Sequence, residues 1–426
     1  MAPHILFLMR TAYTLGGAAT WLDYLESALR ARGWRVTVGL MEGRTFHRPE
    51  GYLLRHPHQE WVRVTCLNST RAGRRQALRQ TLAELAPDVV VSMNVADAVA
   101  VVAEDRSLGL PTPRIAVSAH MIDEGLFRDI ASFAPMLDAV VCTNELTRQL
   151  AMQMSGMPPE RVWYGPYGVS TPAHLIPTAR SAYLPICYVG RLDEPDKRVY
   201  DIPRILAALD DSAVPFQLTV IGTGPDEAAL RQRLQPWLDN GTARILGRLA
   251  PADIWPQVHP GSGVLLLTSW TDTGPFVVFE AMAWQLVVVS SQYYGSGLER
   301  ALRHEDTAML FPIGDATAAA HCLRQLWTDR VLHQRLLAHG AQLVRGPYAL
   351  DHSITVWDGI FRGILAQPPR EMGPVAVQHA TAGDDSATNT EESGENAEWP
   401  LTLARVAPDN AHFWSYVAAL DAPVAG

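Results

Sequence analysis

The sequence predicts an α/β fold of two Rossmann-like, doubly wound parallel-sheet domains facing across a cleft. Three observations lead there: continuous apolar runs of strand length, glycine-bearing turns after them, and a strand–helix rhythm that restarts midway. Ile5–Met9 is an unbroken apolar run, as expected of a central parallel strand covered on both faces. A loop with Gly16 and Gly17 follows. Trp21, Leu22, Leu25 and Leu29 then recur at helical spacing through Ala18–Arg32, Gly33 ends the helix, and Trp34–Leu40 is the next strand. Strand, glycine turn, helix and strand form a βαβ unit. Asp88–Ser92, Arg114–Ser118, Ala139–Cys142 and Arg161–Trp163 continue the strands, with helices at Arg74–Leu85 and Glu145–Met154.

The rhythm begins again at Pro185–Val189. Strands follow at Phe216–Ile221, Ala243–Leu246, Val264–Leu267 and Val287–Ser290. Helices fall at Tyr200–Ala208, Glu227–Leu234, Phe276–Trp284 and Ala316–Asp329. The expected organisation is a first domain over 1–175, a second over 183–350, and a crossover helix over 351–366 returning to the first domain. Residues 370–426 read as a disordered acidic tail: Glu371, Asp384, Asp385, Glu391, Glu392, Glu395 and Glu398 occur without an intervening Lys or Arg. Near its end Phe413, Trp414, Val417 and Leu420 share helical spacing, which fits a short helix docking on its own protein or on a partner. Ligands of doubly wound sheets bind beyond the carboxyl ends of the strands, so the loops there are the place to look for chemistry.

Composition narrows the function. The chain has 426 residues, 48% hydrophobic and 19% charged, enough for two cores. Its net charge of −9 argues against nucleic-acid binding, which needs a basic surface. Cys66, Cys142, Cys187 and Cys322 have neither CxxC pairing nor metal-ligand spacing and read as buried thiols of a reducing compartment. The apolar runs are too short for a membrane span, so a cytoplasmic protein is expected, with no metal site.

The strongest cluster is SWTDTGPFVVFEAMAW. Asp272 lies in the loop after a strand and Glu280, eight positions on, lies in the following helix, beside backbone N–H groups that favour anions. The stretch resembles the retaining glycosyltransferases of the B-type fold, in the large family four, also called glycosyl transferases group 1. Their signature is Glu, seven residues, a second Glu, then Ala-Met-Ala. The resemblance implies that Glu280, followed by Ala281, Met282 and Ala283, holds the ribose hydroxyls of a nucleotide. It implies that Asp272, one methylene shorter than the family's Glu, contacts the donor sugar, and that Gly274, Pro275 and Phe276 border the nucleotide sugar.

YVGRLDEPDKR adds Arg191 and Lys197 after the first strand of the second half. A departing nucleoside diphosphate concentrates negative charge, and a fixed cation pair can stabilise it in place of Mg²⁺. That is the part the resemblance gives this Arg and Lys. Gly16 and Gly17 leave backbone amides open at a helix start, and the family's matching loop borders donor phosphate and acceptor. The dinucleotide fingerprint G-x-G-x-x-G is absent, against a nicotinamide-dependent oxidoreductase. Gly222 and Gly224, in VIGTGPDEAAL, read as turn-formers beside the nucleotide. His120, just past a strand end, corresponds to a histidine that contacts the donor sugar in the family. PYGVS at Pro166–Ser170 stands where the family has Pro-Asn-Gly-Val-Asp, with Tyr167 and Ser170 substituted. Arg71, Arg74, Arg75 and Arg79 form a basic run, read either as a solvated helix face or as docking to a phosphate-bearing acceptor or the inner face of an anionic membrane.

The resemblance spans roughly residues 4–366. It implies a metal-independent, retaining hexosyltransferase-type enzyme that uses a nucleotide sugar and no cofactor. Its acceptor would be a sugar, a lipid-linked sugar or a small molecule, in polysaccharide, glycolipid or glycoconjugate biosynthesis. Two alternatives are a non-catalytic homologue serving as a partner subunit and a nucleotide-sugar epimerase on the same fold.

Overall fold

The computed structural model describes residues 2–10, 17–42, 49–53, 56–66, 70–173, 181–257, 263–370 and 411–422. These fall into two compact units, one from Met1–Pro166 with Ile354–Ala404 and one from Tyr167–Ser353 with Arg405–Gly426. Gly16 and the acidic residues from Glu371 to Glu398 lie outside the described residues.

The first unit is built on a seven-stranded parallel sheet: β1 (His4–Arg10), β2 (Arg35–Met41), β3 (Trp61–Val64), β4 (Val89–Met93), β5 (Arg114–Ala119), β6 (Ala139–Cys142) and β7 (Val162–Tyr164). Their order is β3-β2-β1-β4-β5-β6-β7. Ile5, Leu6, Phe7 and Leu8 are fully buried, as a centre strand with helices on both faces requires. Helix Gly17–Ala31 buries Trp21, Leu22, Leu25 and Leu29. From Ile354 the long helix Leu350–Ala366 also belongs to this unit. Its Trp357 ring lies 4.8 Å from that of Trp21, and Phe361 packs edge-on to Phe7 at 5.9 Å.

The second unit has a six-stranded parallel sheet: β8 (Leu184–Val189), β9 (Phe216–Ile221), β10 (Ala243–Ile245), β11 (Val264–Leu267), β12 (Val287–Ser291) and β13 (Met309–Phe311). The order is β10-β9-β8-β11-β12-β13. The chain lays β9 and β10 on one side of β8 and then crosses to place β11 on the other, where Val264 pairs with Ile186. The topological switch therefore lies between β8 and β11, and the loops leaving their carboxyl ends are neighbours.

The expected strands are present with ends shifted by no more than two residues. Those not foreseen are β3 and β13. In β3 the edge position leaves Trp61 and Arg63 exposed, so no continuous apolar run marks it. Helix Ala96–Ser107 was also hidden, because Ala98 to Ala103 are all buried and that central run has no polar residue to mark a helical period. Among the described residues no helix is long and apolar enough to cross a membrane. The four cysteines are buried and none is in a disulfide.

Candidate functional site

The loops after β8 and β11 meet at the switch point. Asp193 caps the short helix Glu194–Lys197, its Oδ1 accepting from the amides of Asp196 (3.1 Å) and Lys197 (3.2 Å). The other oxygen of the same carboxylate is ion-paired with Arg191, whose guanidinium also donates to Asp196 Oδ2 at 2.7 Å. One buried aspartate thus holds the Arg191 guanidinium and the backbone of Lys197. Burial, and secondarily Asp193, hold the Asp196 carboxyl above its ordinary range.

Lys197 reaches across to the second loop, where Nζ lies 2.5 Å from Asp272 Oδ2. Asp272 Oδ1 accepts from the amide of Thr273 at 2.9 Å. The two loops are joined further by Thr268 Oγ1 donating to the Lys197 carbonyl (2.7 Å) and Trp270 N donating to the Asp196 carbonyl (2.8 Å). Arg191, paired with Asp193 and Asp196, and Lys197, paired with Asp272, therefore lie on two loops tied together by these bonds. The sequence did not single out Asp193 or Asp196, although Asp193-Glu194-Pro195 carries the signal of a helix cap followed by an early proline.

Glu280 lies in helix Phe276–Ala283, which Pro275 precedes and Gly274 enters at φ 85°. Burial pushes its carboxyl up to about 7, against a hydrogen bond from Trp255 that lowers it. A carboxyl so placed is poised between accepting and donating hydrogen bonds at neutral pH. Phe276 packs edge-on to Tyr167 at 6.0 Å. Gly222 and Gly224 serve close approach: a Cβ on Gly222, at φ 144°, would stand 1.8 Å from the Gly190 carbonyl oxygen, and one on Gly224 would stand 2.1 Å from that of Leu192. Their role is to let the loop after β9 lie directly on the loop that carries Arg191, with Leu192 N donating to the Thr223 carbonyl at 3.0 Å.

A model described as "Glycosyltransferase Family 4" matches residues 15–172, and one described as "Glycosyl transferases group 1" matches residues 184–329. Together they cover more than half of the chain. The protein belongs to the group 1, family-4 glycosyltransferases.

One relative of this family member is a phosphatidyl-myo-inositol mannosyltransferase of Mycobacterium leprae, 29% identical over 164 residues. That match takes in 38% of this chain and 41% of the relative, so the chain spans about two fifths of the length of the curated relative. Among solved structures, a sucrose-phosphate synthase from Thermosynechococcus elongatus superposes with a TM-score of 0.69 at 17% identity, covering 85% of this chain and 99% of that one. Anabaena HepE in complex with UDP-glucose gives 0.67 at 17% identity, covering 85% and 100%. At these identities the likeness establishes the shared B-type fold.

The first unit carries the remaining sequence-predicted residues. His120 follows β5, its Nε2 lying 2.8 Å from Ser118 Oγ and its ring 5.0 Å from that of Trp21. Burial drives its imidazole down to about 4, so it is neutral at physiological pH. Gly17 opens helix Gly17–Ala31. The basic run lies on helix Arg71–Leu85 and faces acids of helix Ala96–Ser107: Arg71, Arg74 and Arg75 reach Asp97, Arg75 and Arg79 reach Glu104, and Arg79 reaches Asp105. Helix-to-helix pairing is the observed role of this run, in place of a solvated face.

Proposed function

We propose that this family-4 protein transfers a sugar from a nucleotide-sugar donor to an acceptor hydroxyl, with retention at the anomeric carbon and without metal. The reading rests on one observation. A lysine and an arginine, each already oriented by carboxylates, converge on the strand-end loops at the topological switch of the second sheet. An anion held there would add a further acceptor to both cations. As the bond from the anomeric carbon to the diphosphate breaks, Arg191 and Lys197 stabilise the growing negative charge, the task for which other enzymes recruit Mg²⁺. The acceptor oxygen bonds to the anomeric carbon on the face the diphosphate leaves, through an oxocarbenium-like state, and the hydroxyl proton passes to the departing diphosphate oxygen. Glu280 holds the ribose hydroxyls and Asp272 the sugar hydroxyls. His120, neutral, supplies a hydrogen-bonding group to the sugar.

HepE carries UDP-glucose, which supports nucleotide sugars as the first donors to try. No membrane role is assigned to Arg71, Arg74, Arg75 and Arg79, whose charges are met within the protein.

The test is a thermal-shift and calorimetric screen of UDP, GDP and ADP in EDTA, since a ligand that binds only the folded state raises its stability. At least one should bind the parent and bind Lys197→Ala at least about tenfold more weakly. Proton NMR of the transfer product should show the anomeric configuration of the donor. Absence of binding by all three, or an inverted product, removes the proposal.

A further inference from the structure

The described end of the chain, helix Ala411–Asp421, packs on the second unit against the loops that follow β11 and β12. Phe413 and Val417 are 6% and 0% exposed. The Trp414 ring lies 4.4 Å from that of Trp270 and 5.6 Å from that of Tyr294. The last residue of the helix anchors it. Asp421 Oδ2 accepts from Gly295 N at 2.7 Å and Oδ1 from Leu298 N at 2.9 Å, with Gly297 N a third donor to the carboxylate. Charge-assisted bonds of this kind are about twice as strong as neutral ones. Gly297 admits the helix end: a Cβ there would stand 1.8 Å from the Asp421 carbonyl oxygen.

The two loops held in this way are stitched to each other and to the catalytic cluster. Tyr294 N donates to the Trp270 carbonyl (2.9 Å) and Asp272 N to the Tyr294 carbonyl (3.0 Å), while Trp270 N donates to the Asp196 carbonyl (2.8 Å). Trp270, which Trp414 covers, is therefore bonded both to Tyr294, whose carbonyl accepts from the Asp272 amide, and to the loop that carries Lys197.

We infer that Trp414 and Asp421 are positioning residues: the C-terminal helix clamps the β11 and β12 loops and so sets where Asp272 presents its carboxylate to Lys197 and the donor sugar. The catalytic consequence rests on the function proposed above, whereas the clamp itself does not. Without this helix the Asp272 loop keeps its bonds to the Lys197 and β12 loops but loses the Trp414 cover and the Asp421 anchor on the β12 loop.

The experiment uses the full-length chain with Asp421→Ala, Trp414→Ala and Gly297→Ala. Gly297 does not have a positive φ, so alanine suits its backbone and conflicts only with the helix end. Without ligand, hydrogen exchange at the Asp272 and Tyr294 amides should quicken about tenfold in each variant, while β8 and β11 exchange as in the parent. Asp421→Asn, which keeps an acceptor oxygen, should fall between parent and Asp421→Ala. With donor, turnover of the nucleotide sugar should drop about tenfold, while affinity for UDP, GDP or ADP, whichever binds the parent, changes less than threefold. Unchanged exchange in all three variants overturns the clamp. Faster exchange with parental turnover overturns the positioning role. Should the parent bind none of the three nucleotides, the donor reading fails, and the exchange result alone upholds or overturns the clamp.

Discussion

Two groups of basic residues in this protein look alike in the sequence and differ in the fold. Arg71, Arg74, Arg75 and Arg79 lie along one helix and meet Asp97, Glu104 and Asp105 on a neighbouring helix. Arg191 and Lys197 also meet carboxylates, but in loops at the carboxyl ends of β8 and β11. Ion pairing by itself does not separate a lacing interaction from a site. Location does, because helix flanks pack against other helices, whereas the loops at a topological switch face whatever the sheet binds. The second group also has a carboxylate that doubles as a helix cap, Asp193, so its cations are oriented before any ligand arrives.

The largest effect expected from breaking this arrangement is structural. Gly222→Ala would drive a methyl group into the Gly190 carbonyl and should destabilise the second unit by about 3 kcal/mol or more in urea unfolding. Gly109→Ala, at φ 72° in the first unit but with open space around it, should cost only about 1 kcal/mol. Equal losses would show that contact between the β8 and β9 loops contributes little.

Next comes the cation pair. Lys197→Ala should lower transfer at least about tenfold, roughly 1.4 kcal/mol at the barrier. Arg75→Ala should leave transfer as in the parent while lowering the melting temperature, because its guanidinium serves Asp97 and Glu104. A transfer defect in Arg75→Ala would erase the distinction between the two groups.

The third effect depends on pH. The Glu280 carboxyl is raised to about 7 by burial, so the folded state prefers it protonated. Its contribution to stability is complete below about 4.5, the unfolded value, and disappears as pH rises through about 7. Against Glu280→Gln, which does not titrate, the parent should lose about 3 kcal/mol between pH 4.5 and pH 8. Nucleotide binding should move the other way, strengthening through pH 7 as the carboxylate becomes an acceptor for ribose hydroxyls. Glu280→Gln should lose that component and keep only the pH dependence of the nucleotide's own phosphate. A parallel pH course in both proteins would remove Glu280 from the nucleotide site. The smallest effect belongs to Arg79→Ala: its half-exposed pairs should be worth less than about 1 kcal/mol and weaken further in high salt.

Much of the fold was legible because buried parallel strands announce themselves as unbroken apolar runs, as in Ile5–Met9 and Val264–Leu267. β3 was not, since an edge strand with Arg63 facing solvent has no such run. Arg191, Lys197, Asp272 and Glu280 stood out in the sequence because their stretches resemble the family's motifs; of these the structure pairs Lys197 with Asp272. Asp193, Trp270 and Tyr294 did not stand out, because their roles arise from contacts with residues that lie next to them only in space.

What the amino-acid order alone determined is local: strand length and burial, helix faces, glycine turns, and which charged residues fall just after strands. The tertiary structure decided the pairings. Lys197 meets Asp272 because β8 and β11 are neighbours in the sheet though far apart in the chain. The four arginines meet acids because two helices lie side by side, and Asp421 meets Gly295 and Leu298 because the last helix returns to its own lobe. Side-chain periodicity is set by neighbours in the chain and survives in the sequence. A contact between distant residues is set by packing, and neither partner carries a mark of the other.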